Sequence, residues 1–148
     1  MGIPKTIDHD IYLVSRSFGF DTAVDVATQA IKGAHNKSEG YPNGIGLIRL
    51  MGRYSGFIAA TATLAQQNVN FVLIPEVNFD LEGQNGLLSS LARRLRQRRH
   101  VVIVVAEGAG QKLFENREST GTRSIGGIVS SGNGRFGRRI LSRGSEEL

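Results

Sequence analysis

The chain has 148 residues, 40% of them hydrophobic and 21% charged, with a formal net charge of +5. That balance suits a globular protein of one domain, or a piece of a larger one, and excludes a disordered chain. No apolar run approaches the roughly 18–20 residues that cross a bilayer. The first residues, MGIPKTIDHD, lack the apolar stretch of a signal peptide, and without cysteine there is no disulfide, thiol nucleophile or thiolate metal site. A cytoplasmic protein with no membrane partner is the expectation. Much of the positive charge lies late in the chain: residues 111–148 carry seven Arg/Lys against four Glu.

In chain order, the spacing of Phe20, Ala23, Val24, Ala27, Ala30, Ile31 and Ala34 predicts an amphipathic helix over 20–34. Lys37–Asn43 reads as a loop from its Ser, Gly, Pro and Asn. Ile45–Met51 suits a buried strand. The Gly-bearing turn Met51–Gly56 leads into a helix from Phe57 to about Gln67. Phe71–Ile74 is a second strand, stopped by Pro75, and residues 77–86 form a loop. Leu87, Leu88, Leu91 and Leu95 mark the core face of a third helix, whose exposed side is assigned Arg93, Arg94, Arg96, Arg98 and Arg99. Val101–Val105 is a third strand, apolar and β-branched as in a parallel sheet covered on both faces. Strands alternating with helices predict an α/β layered fold with a parallel, Rossmann-like sheet. After about residue 114 the regularity ends, so the expected division is an ordered region over 1–114 and a Gly/Arg/Ser-rich tail over 115–148.

Ligands of open parallel sheets sit beyond the carboxyl ends of the strands. Three polar clusters fall there: Lys5-Thr6-Ile7-Asp8-His9-Asp10, then Met51-Gly52-Arg53 after one strand, then Pro75-Glu76 after another. Cations among them suit phosphate, and carboxylates suit sugar hydroxyls or a magnesium ion. Taken singly, Asp8 and Asp10 are equally turn or capping residues, and Glu76 a helix cap. His35 and His100 have no metal-type spacing and read as structural. Glu107 either lines the site or closes a turn. A nucleic-acid surface built on Arg93–Arg99 and the basic tail is the rival reading. The lack of Trp and the single aromatic of the tail, Phe136, weigh against it, and no nucleic-acid partner is expected.

The motif PKTIDHD, followed by Gly19-Phe20-Asp21-Thr22-Ala23, resembles the PKTIDND region of the 6-phosphofructokinase family. NGIGLIRLMGRYSGFIAATATLA (Asn43–Ala65), LIPE (Leu73–Glu76), LEGQNGLL (Leu81–Leu88) and HVVIVVAEGAGQ (His100–Gln111) follow in the family's order. The resemblance covers Gly2–Gln111 and is nearest the plant and protist type, generally ATP-dependent. It implies a glycolytic kinase that phosphorylates the 1-hydroxyl of fructose 6-phosphate with ATP and Mg2+, as a homo-oligomer. Under it Asp8 is the catalytic base, and Thr6, Met51, Gly52, Arg53 and Glu76 bind substrate along with Asp8. Lys5 contacts phosphate and Asp10 helps hold the metal. Lys5 also occurs in pyrophosphate-dependent members, so pyrophosphate is the alternative donor. His9 departs from the usual Asn. The family's GGDG-type phosphate loops, which precede PKTIDND, and its later substrate-binding histidine and arginines have no counterpart here. An incomplete copy, inactive alone or acting only by association, is therefore expected.

Overall fold

A computed structural model of the chain describes residues 2–111 and Leu113. Phe114 and the expected tail over 115–148 lie outside the described residues. Among the described residues, three helices and three strands alternate: α1 (Phe20–Glu39), β1 (Gly44–Leu50), α2 (Phe57–Ala65), β2 (Phe71–Leu73), α3 (Leu87–Arg98) and β3 (His100–Ala106). The strands form one parallel sheet in the order β1-β3-β2, with Gly44 opposite His100 and Phe71 opposite Ile103. The expected α/β layered fold is present.

β3 explains why the sheet holds together. Val101 to Ala106 are all buried, because successive side chains point to opposite faces and both faces are covered. Val102, Val104 and Ala106 pack with Ala27 and Ile31 of α1 and with Ile58, Ala59 and Ala62 of α2. Val101, Ile103 and Val105 pack with Leu73 and with Leu87, Leu91 and Leu95 of α3. One strand thus supplies two cores.

The element boundaries differ from expectation in an instructive way. α1 runs on through Lys37, Ser38 and Glu39, where a loop was expected, and stops at Gly40. Ser38 is buried there and its hydroxyl donates to the carbonyl of His35, so a polar residue completes the last turn. A side chain on Gly44 would collide with the Ser38 carbonyl, so only glycine lets β1 start this close to the helix end. Arg94 is half-buried rather than exposed, with its Nε shielded from water. Arg99, just past α3, takes the left-handed conformation at φ 59° and donates its N–H to Leu95, closing the helix. No helix among the described residues is long and apolar enough to cross a membrane.

Candidate active site

All three strands end at the same edge of the sheet, and the segments that follow them interlock there. Gly108, after β3, is the wedge. A Cβ on it would run into the Arg53 carbonyl and lie 3.2 Å from Pro75 Cγ, so the turns after β1 and β2 close around it. The turn after β1 is tight. Gly52 and Arg53 both have positive φ, at 143° and 49°, and the Ser55 N–H donates to the Gly52 carbonyl at 2.7 Å. A Cβ on Gly52 would strike the Ser55 carbonyl, which makes glycine a steric requirement there.

The segment 5–10 is strapped onto this turn. Ser55, buried, donates its hydroxyl to the Asp8 carbonyl at 3.1 Å. Thr6 Oγ1 accepts the Asp8 N–H at 3.2 Å and donates to Asp10 Oδ1 at 2.7 Å. Asp8 is only 8% exposed, and its Oδ2 faces Arg53 Nε at 4.0 Å. The Arg53 side chain is 80% exposed, so it holds Asp8 loosely and remains open to a ligand. His9 anchors the other side of the segment. Its Nδ1 pairs with Ser17 Oγ at 3.0 Å, and its ring packs 4.8 Å from Phe20 and 5.7 Å from Phe57.

Glu76 reaches the same place from β2. Its Oε1 accepts the Gly56 N–H at 2.8 Å, at the start of α2, where a carboxylate also meets the positive end of the helix. A Cβ on Gly56 would lie 2.6 Å from Glu76 Oε2 and 2.5 Å from Ile74 Cβ, so this contact needs glycine. Glu76 therefore serves as the cap that the sequence had left open, while its exposed side faces outward.

The three clusters expected from sequence thus meet at one edge, with Asp8, Arg53 and Glu76 joined through Ser55 and Gly56. Met51 and Lys5 flank it as exposed residues, and no hydrogen bond or ion pair joins either to Asp8, Arg53 or Glu76. Glu107 is engaged by Arg49 at 2.9 Å, an ion pair across the ends of β1 and β3. From sequence, Ser55 and Gly56 were placed only in the Gly-bearing turn after β1, and Gly108 only beside Glu107 at a strand end that either lines the site or closes a turn. Only the glycines in a post-strand turn offered a signal for them. For a magnesium ion the donor set is suitable: Asp10 presents an exposed carboxylate with one oxygen fixed by Thr6, beside Asp8. Magnesium commonly takes one or two carboxylates, with waters and substrate phosphates filling the rest.

A buried carboxylate beside an open guanidinium, with a second carboxylate in the turn after β2, suits a phosphorylated polyol. The chain matches the family model Phosphofructokinase over residues 1–138. It belongs to the phosphofructokinase family. It is 55% identical over 128 residues to the ATP-dependent 6-phosphofructokinase 1 of Arabidopsis thaliana, covering 85% of this chain and 27% of that one. Against the chloroplastic ATP-dependent 6-phosphofructokinase 4 of the same plant the identity is 52%, over 84% of this chain and 25% of the other. It is 52% for the ATP-dependent 6-phosphofructokinase of Borreliella burgdorferi, over 78% and 27%. The chain spans about a quarter of the length of these phosphofructokinases. Among solved structures, the phosphofructokinase of Saccharomyces cerevisiae superimposes with a TM-score of 0.60 at 24% identity, over 70% of this chain and 14% of that one. A pyrophosphate-dependent phosphofructokinase from Nitrosospira multiformis gives 0.54 at 24% identity, over 72% and 28%. These two likenesses establish the phosphofructokinase fold.

Proposed function

We propose that this chain is the sugar-phosphate side of an ATP-dependent 6-phosphofructokinase, which converts fructose 6-phosphate to fructose 1,6-bisphosphate in glycolysis. The observation that carries the reading is Asp8: a buried carboxylate held by its own backbone to Ser55 and Thr6, with Arg53 at its mouth. A general base needs this kind of fixed position within reach of the proton it removes.

In the proposed reaction the Asp8 carboxylate accepts the proton of the sugar 1-hydroxyl. The freed oxygen forms its bond to the γ-phosphorus of ATP as the bond to the bridging oxygen breaks, and that electron pair leaves with ADP. Arg53, Met51 and Gly52 bind the sugar phosphate, and Glu76 accepts a sugar hydroxyl with the oxygen not spent on Gly56. Lys5 contacts phosphate. Asp10, oriented by Thr6, would help hold magnesium, and the ion when bound neutralises charge on the transferring phosphate. The protein's work is positioning, which fits a site assembled by backbone contacts.

The donor assignment rests on the names of the relatives, all three of them ATP-dependent. Pyrophosphate is the second reading, favoured by Lys5. We place the longer enzyme in the cytoplasm, as a homo-oligomer; the chloroplast is the competing compartment, since one of these relatives is chloroplastic. The test is Asp8→Asn in a longer protein containing this segment. Turnover is expected to fall by roughly 10²–10⁴-fold or more, with fructose 6-phosphate binding by calorimetry nearly unchanged. A loss under tenfold would remove Asp8 from the role of base. Running the unsubstituted enzyme with ATP and with pyrophosphate decides the donor.

A further inference from the structure

At the opposite edge of the sheet, where β3 begins, three potential ligands meet that the substrate site does not use. His35 and Glu39 stand one turn apart on α1, and His100 is the first residue of β3. Glu39 Oε1 lies 3.5 Å from His35 Nε2 and 3.9 Å from His100 Nε2. The candidate donor atoms of all three lie within 4.8 Å of one another, the one such group among the described residues. The two rings meet edge to face with centroids 5.5 Å apart. Both imidazoles are largely shielded, at 15% and 22% side-chain exposure, whereas Glu39 is half open to water at 52%.

The hydrogen bonding decides what faces what. His100 Nδ1 lies 3.2 Å from the Arg98 carbonyl. A carbonyl only accepts, so Nδ1 carries the proton, and Nε2 of the neutral ring presents a lone pair toward the Glu39 carboxylate. Lone pair and carboxylate then oppose one another with no donor between them. A cation relieves that opposition. Metal-binding histidines commonly have this arrangement, with the far ring N–H given to a backbone carbonyl, which fixes the tautomer. His35 Nδ1 is buried without a partner, so the accessible nitrogen of that ring is Nε2, on the Glu39 side.

We propose that His35, Glu39 and His100 bind one Zn2+ ion, pinning the last turn of α1 to the start of β3. Two imidazole nitrogens and one carboxylate are a zinc donor set, softer than the oxygens that magnesium selects. With bonds of roughly 2.0–2.2 Å, a tetrahedral zinc ion has neighbouring ligand atoms about 3.3–3.5 Å apart. Glu39 already stands near that distance from both rings. Being exposed and at a helix end, it is free to close the remainder, and water takes the fourth position.

The experiment is a titration of the metal-stripped 148-residue chain with zinc chloride by calorimetry, repeated with cobalt(II) and read by visible absorption. One zinc equivalent is expected to bind saturably, with intense cobalt bands of a four-coordinate site and a raised melting temperature. Glu39→Gln alters an exposed side chain without touching the core, and it should weaken zinc by at least ~10-fold and abolish the thermal shift. His35→Asn and His100→Asn should do the same. His9→Ala, which removes the third and last histidine of the chain, should leave the stoichiometry unchanged. No saturable zinc binding by the unsubstituted chain overturns the proposal, leaving an ordinary histidine–glutamate cluster held by a proton. Equal binding by Glu39→Gln and by the double variant His35→Asn/His100→Asn overturns it as well.

Discussion

His9 sits between the two carboxylates of the substrate-side loop with φ 58°. Among residues other than glycine, that left-handed backbone favours Asn, Asp and His. His9, the residue that departs from the Asn of the family's motif, is thus of a type that suits this backbone, and its ring packs against Phe20 and Phe57. This contact ties the segment beginning at Gly19 to PKTIDHD: Phe20, in the first turn of α1, packs against the His9 ring. Arg53 and Glu76 differ in what their loss should do. Arg53 is open and lightly held, so Arg53→Ala should raise the KM for fructose 6-phosphate by roughly 10–150-fold, the worth of a charge-assisted contact. Its melting temperature and KM for nucleotide should stay unchanged, and equal loss of both substrates would point to misfolding instead. Glu76 caps α2 as well as accepting a sugar hydroxyl in the proposed reaction, so Glu76→Ala should raise the same KM and lower the melting temperature, cap loss costing about 0.5–2 kcal/mol. A Glu76→Ala protein with unchanged stability would refute the capping role. Arg53 and Glu76 were legible because each follows a strand directly, and Asp8 because it stands in the PKTIDHD motif. Ser55 was not, since a hydroxyl bonded to a carbonyl 47 residues away leaves no local pattern.

β3 was the easiest element to read and bears the most packing. Its unbroken apolar run has one sensible placement, inside a sheet covered on both faces. Ile103 is fully buried at its centre, whereas Val72 on β2, directly paired with Val104, is 38% exposed. Ile103→Ala should cost about 2–5 kcal/mol in urea unfolding, and Val72→Ala well under half of that, the usual size for a surface change being within about 0.5 kcal/mol. Similar losses at the two sites would contradict the two-sided core. The end of α1 was harder. Lys37, Ser38 and Glu39 resemble the loop that follows them in composition, and the helix continues only because Ser38 satisfies a carbonyl and packs beneath Gly44. That is tertiary information. The same end of the helix carries Glu39, and the meeting of Glu39 and His35 with His100 was invisible for the same reason: no spacing rule links a helix end to a strand two crossovers later. Strand order was equally unreadable, because periodicity says which face is buried and not which strand is neighbour.

At the scale of the molecule, the proposed acceptor side brings Asp8, Arg53 and Glu76 together, whereas no GGDG-type phosphate loop occurs in these 148 residues. Phosphoryl transfer depends on holding both substrates in line. The purified 148-residue chain, assayed for fructose 1,6-bisphosphate with ATP or pyrophosphate and magnesium, should turn over below about 1 s⁻¹, the low end for kinases. Faster turnover would show that the loops are dispensable. The same preparation should self-associate in light scattering, since β1 and β2 each have one free edge among the described residues and Tyr12, Leu13, Phe18 and Leu64 are exposed. The sheet order has one more consequence, for a chain still being made. β1 and β2 are synthesised first, yet among the described residues they do not pair with each other and each bonds to β3, whose last residue is Ala106. Until that strand is available, β1 and β2 lack the partner that their inner edges bond in the folded sheet. Such edges invite any extended stranger to add itself. A chain interrupted before His100 would therefore leave both inner edges without their partner, and the arrival of β3 fills the place between them in a single insertion.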